Sequence, residues 1–246
     1  MSQRFFRSII AATSLLVAAS TYTENTIQIA VTGLYEWESQ ITPGVDWWGI
    51  FPDEKDGYTL RPTRVSAVLD PSMVIEPEKA PRQISVPGKH GGVIVIRGLT
   101  SFTPGPLKSV KLAQYRAPLV PGEHYDLHWG LETSKTQLRL LAAGRPVVQR
   151  SGKHSLRRID DYELWLQRGS GEGVTMQMLV KESEAFGDES PRLHWAGDLD
   201  RDGQLDLIYN LSGHYTQTRL ALYLSSAAKP GELVGLVATW NGTCGC

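Results

Sequence analysis

The sequence predicts an all-β fold of many short antiparallel strands, arranged as a sandwich, a barrel or a propeller-like body, with few helices. Three observations predict it. Helical periodicity is hard to find beyond residue 20. The 24 glycines and 14 prolines punctuate the chain every few residues. Between them lie short runs that alternate apolar and polar residues with period two, the pattern of half-buried strands.

The alternating runs are Thr26–Trp37, Tyr58–Asp70, Tyr125–Leu131, Thr136–Ala142, Asp161–Gln167 and Val174–Lys181. Val93–Ile96 (VIVI) is uniformly apolar and reads as a fully buried strand. Leu193–Gly197, Asp206–Leu211, Arg219–Leu224 and Leu233–Trp240 complete the series. Turn residues separate them, as at Pro121-Gly122, Gly169-Ser170-Gly171 and Lys229-Pro230-Gly231. Residues 71–92 and 101–124 are rich in proline and are expected to be long surface loops. Three regions are expected: a signal peptide (1–20), an N-terminal β region (21–155) and a C-terminal β region (156–246), the last two either separate or forming one domain. The basic stretch Arg145–Arg158 suggests the second boundary.

Residues 1–20 carry their own signature. Arg4 and Arg7 precede the apolar run Ser8–Ala19, and small residues follow for cleavage after Ala19 or Ser20. The run is shorter than the roughly 20 apolar residues a membrane span needs. The expected localisation is periplasmic or secreted, with no membrane span in the mature chain. A formal net charge of −1 with well-mixed charges argues against a nucleic-acid partner, which requires a basic face. The two cysteines, Cys244 and Cys246, stand at the C-terminus as disulfide candidates. A bridge across the single Gly245 closes a very small, strained ring.

The most informative segment is Asp198-Leu199-Asp200-Arg201-Asp202-Gly203-Gln204-Leu205-Asp206. Its aspartates occupy positions 1, 3, 5 and 9 of D-x-D-x-D-G-x-x-D. Calcium is a hard cation that takes six to eight oxygen ligands, and carboxylates at alternate positions of a curled loop can converge on one. Gly203 stands where the chain must turn sharply. The expected ligands of a calcium ion are Asp198, Asp200, Asp202, the backbone carbonyl of Gln204, and Asp206, the last through one or both oxygens, with water in any remaining place. Unneutralised, such carboxylates repel by about 1 kcal/mol per pair at 4 Å in water and about 4 at an effective dielectric near 20. Position 12 is Tyr209 rather than the Glu of an EF-hand. The flanks alternate as strands, with Leu193, Trp195 and Gly197 on one face and His194 and Ala196 on the other.

This strand–loop–strand unit, residues 193–211, resembles the calcium loop of FG-GAP and VCBS-type repeats, found in integrin-like β-propellers and many exported bacterial proteins. The longer stretch Trp195–Val234 also resembles an exported bacterial family without an assigned function. These resemblances imply calcium binding and export, and the first implies a propeller. They name no activity.

Other constellations carry weaker signals. Ser226-Ala227-Ala228-Lys229 spells S-x-x-K, but Pro230-Gly231 follows at once where the catalytic motif opens a helix. His124, Asp126 and His128 alternate on one strand face, where zinc ligands can sit. His194 and His214 flank the acidic loop. Trp47 and Trp48 point to opposite faces of an extended chain, so one of them is a candidate stacking surface for a glycan. The expected function is an exported calcium-binding β-protein, a non-catalytic binding or structural module with a glycan or protein ligand. The alternative is an exported hydrolase acting on glycans or cell-wall material, with a structural calcium. No catalytic residue is assigned.

Overall fold

The computed structural model describes residues 27–36, 41–53, 57–70, 80–89, 91–111, 118–129, 136–151, 154–170, 173–182, 191–213 and 216–244, with backbone only at 136, 149–151 and 154–157. The expected signal segment therefore lies outside the described residues.

Fifteen antiparallel strands form three sheets, and no α-helix occurs among the described residues. The strands are β1 (Gln28–Val31), β2 (Gly33–Tyr35), β3 (Gly44–Pro52), β4 (Tyr58–Leu69), β5 (Arg82–Ser85), β6 (Ile94–Arg97), β7 (Gly105–Leu107) and β8 (His124–Trp129). They continue as β9 (Thr136–Ser151), β10 (His154–Arg168), β11 (Thr175–Glu182), β12 (Arg192–Gly197), β13 (Asp206–Asn210), β14 (Gln217–Leu224) and β15 (Gly235–Thr243). The first sheet has the order β1-β6-β3-β4-β5-β2, with β7 against β4. Strand β4 makes its corner. Tyr58–Val65 pairs with β3, and Ser66–Leu69 pairs with β5. The other two sheets are four-stranded meanders, β11-β10-β9-β8 and β12-β13-β14-β15.

The β12–β15 sheet is the middle layer. Its strands send alternate side chains into two separate cores. Trp195, Ile208, Leu220, Leu222 and Leu224 join Trp47, Ile50, Leu60 and Ile96 of the first sheet. Leu193, Leu207, Tyr209, Ala221 and Tyr223 join Leu127, Leu140, Leu164 and Leu166 of the second. Antiparallel sheets commonly keep one face in water. This one is covered on both, which is why Leu207, Ile208 and Tyr209 are all 0% exposed. The register of β12 slips between Leu193 and Trp195. That bulge puts Leu193 with Ala196 in one core and Trp195 in the other. It corrects the simple alternation expected across residues 193–197.

Two further expectations change. The Pro-rich stretches 71–92 and 101–124 contain β5 and β7, so they are not wholly loops. The expected boundary at 155/156 falls inside the β9–β10 hairpin, paired from His154–Ser151 to Arg168–Leu138. The three sheets among the described residues also fall short of the four to eight blades of a propeller.

Candidate metal centre

The acidic loop spans the turn between β12 and β13, and the pair Gly197–Asp206 closes its base. Two residues bend it through the left-handed region, Arg201 (φ 66°) and Gly203 (φ 85°). Glycine carries no steric penalty there, and arginine does. The Arg201 guanidinium is tied 3.4 Å from the Pro106 carbonyl.

The carboxylates fold back onto the loop's own backbone. Asp198 Oδ2 accepts from Gly203 N–H (3.1 Å), and Asp200 Oδ1 accepts from Asp202 N–H (3.3 Å). Asp202 Oδ1 accepts from Gln204 N–H (2.7 Å). Such local side-chain turns are the reason Asp suits these positions. Asp206 is 0% exposed. Its Oδ2 accepts from Leu199 N–H (2.7 Å), and its Oδ1 from Ser225 N–H (2.8 Å) and Ser225 Oγ (3.0 Å).

Asp198, Asp200 and Asp206 each bring one oxygen within 4.8 Å of the others, so they can hold a metal ion. Asp202 stands outside this closest group, and its Oδ2 accepts from Ser225 Oγ at 2.8 Å. Gln204 donates its N–H to Asp202, a bond that does not engage the carbonyl expected to face an ion. Asp206 has three of its four lone-pair positions in hydrogen bonds, so this geometry leaves it monodentate rather than bidentate.

A cation fits this set on one observation above the others. Asp198 is 9% exposed, and its Oδ1 is buried without a hydrogen-bond partner. A buried carboxylate oxygen left unpaired carries its full desolvation cost. The carboxylate donors are all hard oxygens, which suits calcium or magnesium better than softer metals. Burial pushes the Asp206 carboxyl up to about 7, against the lowering pull of the Ser225 and Leu199 N–H groups. Burial also raises Asp198, with the charges of Asp202 and Asp200 adding to it.

A pH dependence follows. In the metal-free fold Asp206 keeps its proton up to about pH 7, whereas in the unfolded chain it ionises near 3.8. Relative to the unfolded chain this costs stability progressively between pH 3.8 and about 7, and fully above that. A bound cation removes that cost and competes with the proton. A divalent cation held by these carboxylates should stabilise the fold more at pH 8 than at pH 5.5, read with calcium as the probe from the difference in Tm with calcium and with chelator. An equal difference at both pH values contradicts the titration.

The remaining candidates separate from the site. Trp47 is 1% exposed, with its Nε1 donating to the Thr42 carbonyl (3.0 Å), so it offers no stacking face. Trp48 is half-buried and packs edge-on against Phe102, 5.8 Å between centroids. The expected pair of opposite faces holds, but the one turned outward is already packed. His124, Asp126 and His128 share a face of β8, yet Arg139 Nε holds the Asp126 carboxylate at 2.6 Å and its pKa below the ordinary value. His194 is kept neutral, its pKa lowered to about 4 by burial and then by Arg192. Cys244 bridges Tyr35 at the end of β15. Cys246 and His214 lie outside the described residues.

Sequence reasoning missed the groups that surround the loop. The backbone of Lys108 accepts from Asp198 N–H (2.9 Å), and Ser109 bridges Gly197. Trp129 Nε1 donates to the Gly203 carbonyl at 3.3 Å. The 3-10 turn Ser225–Ala227 between β14 and β15 carries the serines already named. Among these, only Ser226 left a signal in the sequence, and there it pointed to a nucleophile. Comparison with protein-family models, with curated proteins and with solved structures found no match to this chain.

Proposed function

We propose that this chain is an exported β-protein that binds one calcium ion in the loop 198–206, and that the ion is structural. The observation that carries the reading is the unpartnered, buried Asp198 Oδ1 among convergent carboxylates. The position of the loop supports a structural role. The segment 105–110 reaches it from the first sheet, Trp129 from the second, and Ser225 from the β14–β15 turn of its own sheet. An ion that fixes this loop therefore fixes a junction of all three sheets.

Calorimetric titration tests the reading. Calcium should bind once per chain, with a dissociation constant of about 10⁻⁴–10⁻³ M, the range of extracellular modules. Magnesium should bind more weakly, because it demands near-ideal octahedral geometry. Absence of calcium binding refutes the assignment. Export rests on residues 1–20, and the mass of the mature protein should place its N-terminus after Ala19 or Ser20. The hydrolase alternative and the glycan ligand gain no support from the described residues.

A further inference from the structure

The turn between β14 and β15 covers the acidic loop. Ser225 Oγ lies 2.8 Å from Asp202 Oδ2 and 3.0 Å from Asp206 Oδ1, so its single proton is shared between two carboxylates. Ser226 Oγ donates to Asp200 Oδ2. Two adjacent hydroxyls thus reach three of the loop's four aspartates. The turn is held in place: Ala228 N–H donates to the Ser225 carbonyl (3.1 Å), and Ser225 N–H to Asp206. Strand β15 passes so close that a Cβ on Gly235 would run into the Ala227 carbonyl.

We propose that Ser226 is an inner ligand of the ion and that Ser225 positions Asp206 and Asp202 around it. This rests on the metal reading above and deepens it. Calcium takes six to eight oxygens. With Asp206 monodentate, the loop's four carboxylates and one carbonyl fall short of that number. A serine hydroxyl has one proton and two lone pairs. Ser226 can keep donating its proton to Asp200 while a lone pair goes to an ion bound by the same carboxylate. Ser225 has its N–H and hydroxyl committed to Asp206 and Asp202, so its part is to orient those two. The S-x-x-K serine is then a metal ligand rather than a nucleophile.

Terbium in place of calcium provides the test. Its luminescence lifetime in H₂O and D₂O counts coordinated waters, and calcium competition gives affinity. Ser226→Ala should gain about one coordinated water and bind on the order of tenfold more weakly. Ser225→Ala should weaken binding by a similar factor with the water count unchanged. Ser226 is exposed, so its truncation leaves the fold intact, checked by circular dichroism. An unchanged water count in Ser226→Ala overturns the inner-ligand role, whatever the affinity. An unchanged affinity or a gained water in Ser225→Ala overturns the positioning role. Failure of the natural chain to bind either ion removes the metal reading and this inference with it.

Discussion

Asp206→Ala should remove about 3–6 kcal/mol of stability, with or without calcium. The substitution removes the acceptor of Leu199 N–H, Ser225 N–H and one share of Ser225 Oγ, at a position with no solvent access. Each buried group left unpaired costs about 1–3 kcal/mol. Three of them cost about 3–6 kcal/mol even if the loop relaxes, against a total stability of about 5–15 kcal/mol. At about 2–4 °C per kcal/mol for a chain of this size, the Tm should fall by roughly 6–24 °C. The milder Asp206→Asn keeps a carbonyl oxygen for Ser225 and loses the bond from Leu199, so it should fall between the two. Chemical denaturation of the three proteins orders them. A near-natural midpoint for Asp206→Ala would show that this carboxylate does not join the loop to β14.

Asp198→Asn should do the reverse to the metal-free protein. Its Oδ1 is buried without a donor, and burial raises the carboxyl pKa. An amide of the same shape removes a charge that is costly there, keeps an oxygen for Gly203 N–H, and can donate toward Asp200. The metal-free Tm should hold or rise by a few degrees, about 1 kcal/mol of stability. The response to calcium should disappear. A variant that is less stable in chelator and still responds to calcium contradicts the assignment of this residue. The contrast separates two kinds of ligand: Asp206 also ties the loop to the fold, whereas Asp198 is costly to the fold until an ion is bound.

How far the sequence reveals this molecule depends on the range of each interaction. Alternating runs such as Tyr58–Asp70 and Val174–Lys181 are local, and β4 and β11 appear where those runs lie. Strand β3 was missed because Gly44, Gly49 and Pro52 break its pattern, yet it carries Trp47 into the core. Strands β5 and β7 are only four and three residues long. No local pattern marks the middle layer. Leu207, Ile208 and Tyr209 are apolar on both sides because sheets flank them on both, and that is a property of the topology. The bulge in β12 likewise sends Leu193 and Trp195 to opposite faces without any signal in the residues.

The site divides in the same way. The spacing of Asp198, Asp200, Asp202 and Asp206 is local chemistry, and three of these carboxylates converge. Asp202 lies outside that closest group, and Ser225, which donates to one of its oxygens, is invisible in the spacing of the loop. Ser225 lies 19 residues from Asp206, and Trp129 lies 74 residues from Gly203. Pairing of β13 with β14 and packing of the second sheet bring them together. Spacing along the chain cannot show that.

Thermal unfolding of the natural chain in excess calcium and in excess chelator tests the central claim most directly. At one hundred times the dissociation constant, an ion that binds only the folded state adds about 2.7 kcal/mol. That corresponds to a rise in Tm of roughly 5–10 °C, in one cooperative transition, since the loop touches all three sheets. Superimposable transitions in calcium and in chelator would contradict it.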